Sequence, residues 1–185
     1  MNCADGVRVA QPLFQEAGSG SIPTSALDLW IVTIDFDTAK QLNRLWHSRL
    51  PRLGTGAVIN MPYLCFAAEF DGLYYATGIW SNPVARNLPQ DTWLELRRLA
   101  IASDAPRNTA SRMLAIMTRR IRKDLPSVTT LVSYQDTSVH TGGIYRAAGW
   151  KATTISAEGD NWTRKKRPRP KAQSEAAKQR WELRV

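Results

Sequence analysis

A chain of 185 residues, 43% hydrophobic and 22% charged, suits one domain with a single core, since domains typically run to roughly 100 to 200 residues. No run approaches the ~20 apolar residues of a spanning helix. The N-terminus reads as no secretory signal, and Cys3 and Cys65, far apart, make neither a disulfide framework nor a metal knuckle. A membrane partner is therefore not expected, and the predicted compartment is the cytoplasm.

Residues 1–27 mix Gly, Ser, Pro and small polar residues without a period and read as an extension with little structure. "LWIVTIDFD" (29–37) is β-branched and aromatic, hence a strand. Asp37 is placed to cap a helix "TAKQLNRLWHS", whose Ala39, Leu42, Leu45 and Trp46 recur at helical spacing. Pro51 ends it. "YLCFAAEF" and "LYYATGIW" flank Asp71-Gly72, a strong signal for a tight antiparallel hairpin. A loop with Pro83 and Pro89 leads to a strand, "TWLELRRLAIA" (92–102), in which alternation would send Arg97 and Arg98 to opposite sides. "SDAPRNTASRMLAIMTRRIRKDL" carries the clearest helix, with Ala110, Met113, Leu114, Met117 and Ile121 on one face. "SVTTLVSY" is a buried strand, "TGGIYRAAGW" holds a short helix stopped by Gly149, and "WKATTISA" is a last strand. The order β-α-β-β-β-α-β-α-β predicts an α/β mixed central sheet with helices on both faces. The domain is expected over 28–158, followed by a basic extension over 159–185.

The net charge of +9 is concentrated late in the chain. Ten Lys and Arg from Lys151 onward face four acids. Such a block suits a polyanion, because each cation that neutralises a phosphate releases condensed counterions. The competing readings are a solubilising tail and an anionic protein or membrane surface. Within the block Arg164, Lys165, Lys166, Arg167, Arg169 and Lys171 form an extended, proline-spaced run suited to phosphates.

Several residues carry candidate chemistry. The N-terminus of the long helix offers unpaired N–H groups and a partial positive charge to an anion, with Asn108 or Ser111 as contacts and Arg107 as added charge. A capped helix that binds nothing is the rival reading. Arg98 is a candidate phosphate contact, against an exposed strand arginine. Tyr145 is either amphipathic core or an acid, since a phenol of reference pKa ~10 can give its proton to a thiolate of similar basicity. Asp136 ends a buried strand, where mixed sheets place reactive loops, or simply caps the next turn. His47 and His140 are the two histidines.

"IYRAAGW" after a strand resembles the "Y-x-x-x-G-F" ending of the GCN5-related N-acetyltransferase (GNAT) superfamily, and "LRRLAIASDAPRNTASRML" resembles its strand, pyrophosphate loop and helix. That superfamily's "Q/R-x-x-G-x-G/A" pattern has no glycine counterpart in "DAPRNTASR". The string "ELRRLAIASDAPRNTASRML…SYQDTSVHTGGIYRAAGW", preceded by "IDFDTAKQLNRLWHSRLP" and followed by "RWELR", resembles the bacteriophage Mom family over roughly residues 30–185. The resemblance implies a GNAT-like enzyme that converts DNA adenine to its N6-methylcarbamoyl (acetamido) form and protects phage DNA from host restriction. It further implies acetyl-CoA and iron as cofactors, with His47, Asp136 and Tyr145 as catalytic residues and an N/O/O metal set. Double-stranded DNA is the implied partner, and a homodimer is compatible with it. Adenine N6 must leave the base stack to react, and Trp46, Tyr63, Trp80 and Trp150 are candidates for an aromatic pocket. An ordinary N-acetyltransferase acting on a small-molecule or protein amine, and a non-catalytic DNA-binding module, are the alternatives.

Overall fold

The computed structural model of the chain describes residues 3–4, 7–8, 22–47, 63–156 and 176–185. Most of the N-terminal extension, Pro51 and the basic run 164–171 lie outside the described residues. Two short strands, β1 (Cys3–Ala4) and β2 (Val7–Arg8), pair with each other. The domain is a seven-stranded sheet of order β3-β4-β5-β6-β7-β9-β8. Its strands are β3 (Trp30–Ile34), β4 (Leu64–Phe70), β5 (Leu73–Ser81), β6 (Trp93–Ile101), β7 (Thr130–Asp136), β8 (Lys151–Ile155) and β9 (Lys178–Arg184). All neighbours are antiparallel except β6 and β7.

Helix α1 (Phe36–Trp46) is capped by Asp35 rather than by the expected Asp37. Asp35 sits in extended backbone and accepts from the Thr38 amide at 2.8 Å and the Thr38 hydroxyl at 2.6 Å. Those are bonds to the third helical residue that an N-cap makes. Asp37 lies inside the first turn and pairs with Lys40 at 2.8 Å. The hairpin forms as predicted: Asp71 and Gly72 have φ of 50° and 75°, and both central positions of its tight turn need that left-handed backbone.

Helix α2 (Thr109–Asp124) buries Met113, Leu114, Met117 and Ile121 completely, each contributing about 1.5 to 3 kcal/mol of apolar burial. They pack on Phe66, Ala68 and Trp80, and at Gly78 a Cβ would stand 2.7 Å from the Met117 sulfur. Helix α1 lies on the opposite face, where Ala39 packs with Cys65 and Ile79, and Leu42 with Ala67. Helices therefore cover both faces, as the element order predicted. The short helix α3 (Gly143–Ala147) is stopped by Gly149 at φ 78°, with the Trp150 amide returning to the Tyr145 carbonyl at 2.9 Å.

The largest departure from expectation is β9. It lies in the segment read as a basic extension, yet it is inserted between β7 and β8, with Trp181 only 3% exposed. Gln179, Trp181 and Leu183 alternate with Lys178, Arg180, Glu182 and Arg184. Period-two alternation of that kind makes a half-buried strand whatever its net charge.

Candidate functional site

Strands β6 and β7 pair in parallel from Trp93/Thr130 to Leu96/Ser133, and no further. Both run on, β6 to Ile101 and β7 to Asp136, so the sheet opens at its centre beyond Leu96 and Ser133. On the α2 side of this split lies a cavity of about 250 Å³ between the start of α2 and α3, lined by Ile101, Asn108, Thr109, Ser111, Gly143 and Ile144 among others.

The start of α2 is built without glycine because Asn108 takes the left-handed backbone, φ 70°, as helix N-cap. Asparagine is the side chain best able to do so. Counted back from Ala110, Asn108 falls on the first glycine of the "Q/R-x-x-G-x-G/A" pattern and takes the left-handed backbone that glycine favours, while Ala105 falls on its Gln or Arg. The first-turn amides of α2 lack intrahelical partners and face the cavity with a helix's partial positive charge. Asn108 and Ser111 line it. Ser111 donates its hydroxyl back to the Asn108 carbonyl at 3.1 Å. Arg107 is exposed and outside the lining, and Arg98 belongs to the other face of the sheet.

Tyr145 stands at the apex of the split. Its hydroxyl is 2.9 Å from the Ser133 hydroxyl, and Ser133 is the last β7 residue paired with β6. The ring stacks on Trp181 with centroids 5.2 Å apart and meets Trp150 edge-on at 5.7 Å. Burial raises the phenol above its ordinary pKa, opposed by the hydrogen bond to Ser133. Trp181 in turn donates to Gln135 at 2.7 Å, and the Gln135 amide holds the His140 carbonyl. Ser133 and Gln135 escaped the sequence reading because small polar residues in a buried strand carry no periodic signal.

On the α1 face, the bulge opposite Ile79/Trp80 overturns the expected alternation of Arg97 and Arg98. Trp80 pairs with Leu96 but Ile79 pairs with Arg98, leaving Arg97 as the extra residue. A bulge of this kind resets the alternation and re-aims a side chain. Arg97 reaches Ser81 at 3.4 Å and Glu95 at 3.3 Å, while Arg98 stands opposite Ile79, which packs under α1. Both arginines therefore share one face. Burial, with Arg97 adding to it, lowers Arg98 to about 10. Buried Glu95 accepts from the Val84 amide at 2.8 Å, and its carboxyl is pushed up by burial.

His47 caps the end of α1. Burial first, then electrostatic interaction with Arg98 and His140, lowers its pKa to about 4. His47 is thus a neutral imidazole at pH 7. Between pH 6.5 and about 4 the unfolded chain takes up a proton at His47 that the native state refuses, so stability falls as the pH falls through that window. His47→Gln is expected to show a smaller loss of melting temperature between pH 7 and 4.5 than the parent; equal losses would contradict the assignment.

The expected metal set does not form. Tyr145 lies on the α2 face with its hydroxyl engaged by Ser133. Asp136, one turn of the strand beyond Tyr134 on the α1 face, accepts from the Ser138 amide at 3.0 Å and hydroxyl at 2.5 Å. The largest charge acting on His47 is that of Arg98. Among the described residues no three His, Cys, Asp or Glu converge as metal ligands. Nothing among the described residues supports an iron site.

Of the expected aromatic pocket, Trp80 and Trp150 are core, at 0% and 3% exposure, and Tyr63 stacks on Phe36 at 4.0 Å. Among the described residues no helix is long and apolar enough to cross a membrane.

The fold is similar to that of solved acetyltransferases. A Bacillus subtilis acetyltransferase in complex with CoA is 12% identical, covers 85% of this chain and 99% of its own, and superposes with a TM-score of 0.58. The ribosomal-protein-alanine N-acetyltransferase from Brucella melitensis is 14% identical, with 85% and 100% covered and a TM-score of 0.57. A GNAT family acetyltransferase from Elizabethkingia anophelis with acetyl-CoA bound is 12% identical, with 85% and 99% covered and a TM-score of 0.52. The architecture is a GNAT fold. No curated protein matches the sequence. A model of the Mom protein family matches residues 68–182.

Proposed function

Because the chain belongs to the Mom protein family, we propose that it is a transferase that converts adenine in double-stranded DNA to N6-methylcarbamoyl (acetamido) adenine, shielding phage DNA from host restriction. The observation that carries this reading is the split between β6 and β7. It joins an anion-holding cavity on one face of the sheet to a cationic face on the other, with Tyr145 at the apex.

Acetyl-CoA fits the first side. Asn108 and the amides of Ala110 and Ser111 would hold its pyrophosphate, and the unpaired edge of β6 beyond Leu96 would receive its arm. When bound, it would supply an activated two-carbon unit; a two-electron oxidant and an ammonia-level nitrogen donor would have to complete the acetamido group, since N6 is joined to a methylene and the carbonyl carries a new amide nitrogen. Tyr145 keeps its proton at neutral pH, since burial raises its pKa, and its hydroxyl can donate that proton and exchange it with Ser133. His47, neutral at the same pH, would stand on the adenine side as a hydrogen-bonding group rather than as a base. Buried Glu95 and the bulge hold Arg97 and Arg98 near this acceptor side. N6 is hydrogen-bonded in duplex DNA, so the base must leave the stack to reach the split.

Mass spectrometry of nucleosides from DNA of cells expressing the protein tests the reading. The expected result is a deoxyadenosine carrying the acetamido group. Unmodified adenine at full expression would overturn it. The second reading, an ordinary N-acetyltransferase, draws on the likeness of fold to the ribosomal-protein-alanine enzyme. It predicts an acetyl adduct on an amine, lighter than the acetamido adduct by one NH.

A further inference from the structure

We propose that the DNA lies across the α1-side face of strands β7, β9 and β8, beside helix α1, with Tyr134 as the platform on which the extruded base stacks at the split. The inference rests on the DNA-modifying function proposed above and places its substrate on a particular surface.

Register settles which side chains share that face. Tyr134 stands opposite Arg180, Val132 opposite Glu182, and Asp136 opposite Lys178, while Lys151 stands opposite Glu182 on the other side. Residues two apart on a strand lie on one face. Lys178, Arg180 and Arg184 therefore run in a row along β9, with Lys151 beside them and Arg97 and Arg98 at the other end. Three carboxylates share the face, and each is engaged. Glu95 holds the Val84 amide and Arg97. Glu182 pairs with Arg180 at 2.5 Å and accepts from Thr153 at 3.2 Å. Asp136 accepts from Ser138. The face thus presents more cation than anion to a polyanion.

It is also open. Helix α1 packs over β4, β5 and β6, and β8 is exposed at every residue. Tyr134 is 37% exposed between buried Ser133 and buried Gln135, although burial pays only in part for so large a ring on a surface. It is the first β7 residue beyond the last pair with β6, on the face opposite Tyr145. Arg180 stands opposite Tyr134 in register and acts on its hydroxyl. An aromatic ring set among arginines on an open sheet face is the arrangement that stacks unpaired bases while cations follow the backbone.

The test uses the full chain and a DNA duplex carrying 2-aminopurine at an adenine position, whose fluorescence is quenched by stacking on an aromatic ring. The parent and Tyr134→Phe are expected to quench it on binding. Tyr134→Leu and Tyr134→Ala are expected to lose the quenching and to bind about tenfold more weakly. Exchanging the exposed Lys151 and Arg184 for Glu should lower the slope of log affinity against log salt by about two. Parent-like quenching in Tyr134→Leu, or an unchanged slope in the charge-reversed variant, would overturn the surface. Nucleoside analysis separates the two levels. A parent that makes modified adenine while these variants bind unchanged removes only the surface. A parent that leaves adenine unmodified, with binding lost in the variants, removes only the function.

Discussion

Tyr145→Phe is expected to lower the rate of DNA modification by about two orders of magnitude or more, the usual weight of a positioned proton donor, while the protein remains folded. The ring that stacks on Trp181 and meets Trp150 is kept, and only the hydroxyl at 2.9 Å from Ser133 is removed. Losing that buried hydrogen bond costs about 1 kcal/mol, too little to account for a hundredfold loss of rate through unfolding. Ser133→Ala is the control, because it removes the same bond from the other end and leaves the phenol in place. Were the hydroxyl only a core contact, the two variants would lose similar stability and both would keep their rate. A parent-like rate in Tyr145→Phe would assign the tyrosine to packing alone. Nucleoside mass spectrometry gives the rate, and thermal melts give the stability.

Gly142→Ala should cost about 3 kcal/mol, lowering Tm by roughly 6 to 12 °C for a chain of this size. Gly142 has φ 76°, and a Cβ there would meet Trp181 Cζ2 at 2.4 Å and Gln135 Oε1 at 2.6 Å. Left-handed backbone costs an L residue about 1 to 2 kcal/mol, and overpacking adds about 1 to 3 kcal/mol. Neither neighbour can give way cheaply, since they are bonded to each other at 2.7 Å and Trp181 lies under Tyr145. Gly149 provides the comparison. Its φ is 78°, yet a Cβ there meets nothing within 4 Å, so Gly149→Ala should cost only the backbone share. Equal losses at the two glycines would show that the contact with Trp181 does not matter.

What the sequence revealed depended on whether the cause was local. The Asp71-Gly72 hairpin and the buried face of α2 follow from neighbouring residues, and both could be read directly. So could the helix stop at Gly149. The cap of α1 was misplaced by two residues because "DFDT" offers two acids at similar spacing, and only the bond to Thr38 chooses Asp35. The shared face of Arg97 and Arg98 was hidden because a bulge is a property of the pair β5 and β6, not of β6 alone. For β9 the signal was present in the alternation of Gln179, Trp181 and Leu183, but its charge made it resemble the basic run before it. The expected grouping of His47, Asp136 and Tyr145 came from the family resemblance, and nothing in the local spacing could show on which face of the sheet each would stand. The sheet stands between Tyr145 and the other two.

The placement of β9 also governs the order in which the molecule can be assembled. Its partner β7 is distant in sequence, with the first bond between their flanks joining Thr137 to Ala177 across 40 residues. Contacts of such separation form late, because the loop entropy is lost before the pairing returns it. Until β9 docks, the open edge of β7 and the underside of Tyr145 have no cover, and β8 has no neighbour in the sheet. Docking of β9 is then expected to come late in refolding, leaving the β7 edge open to pairing with another chain until it does.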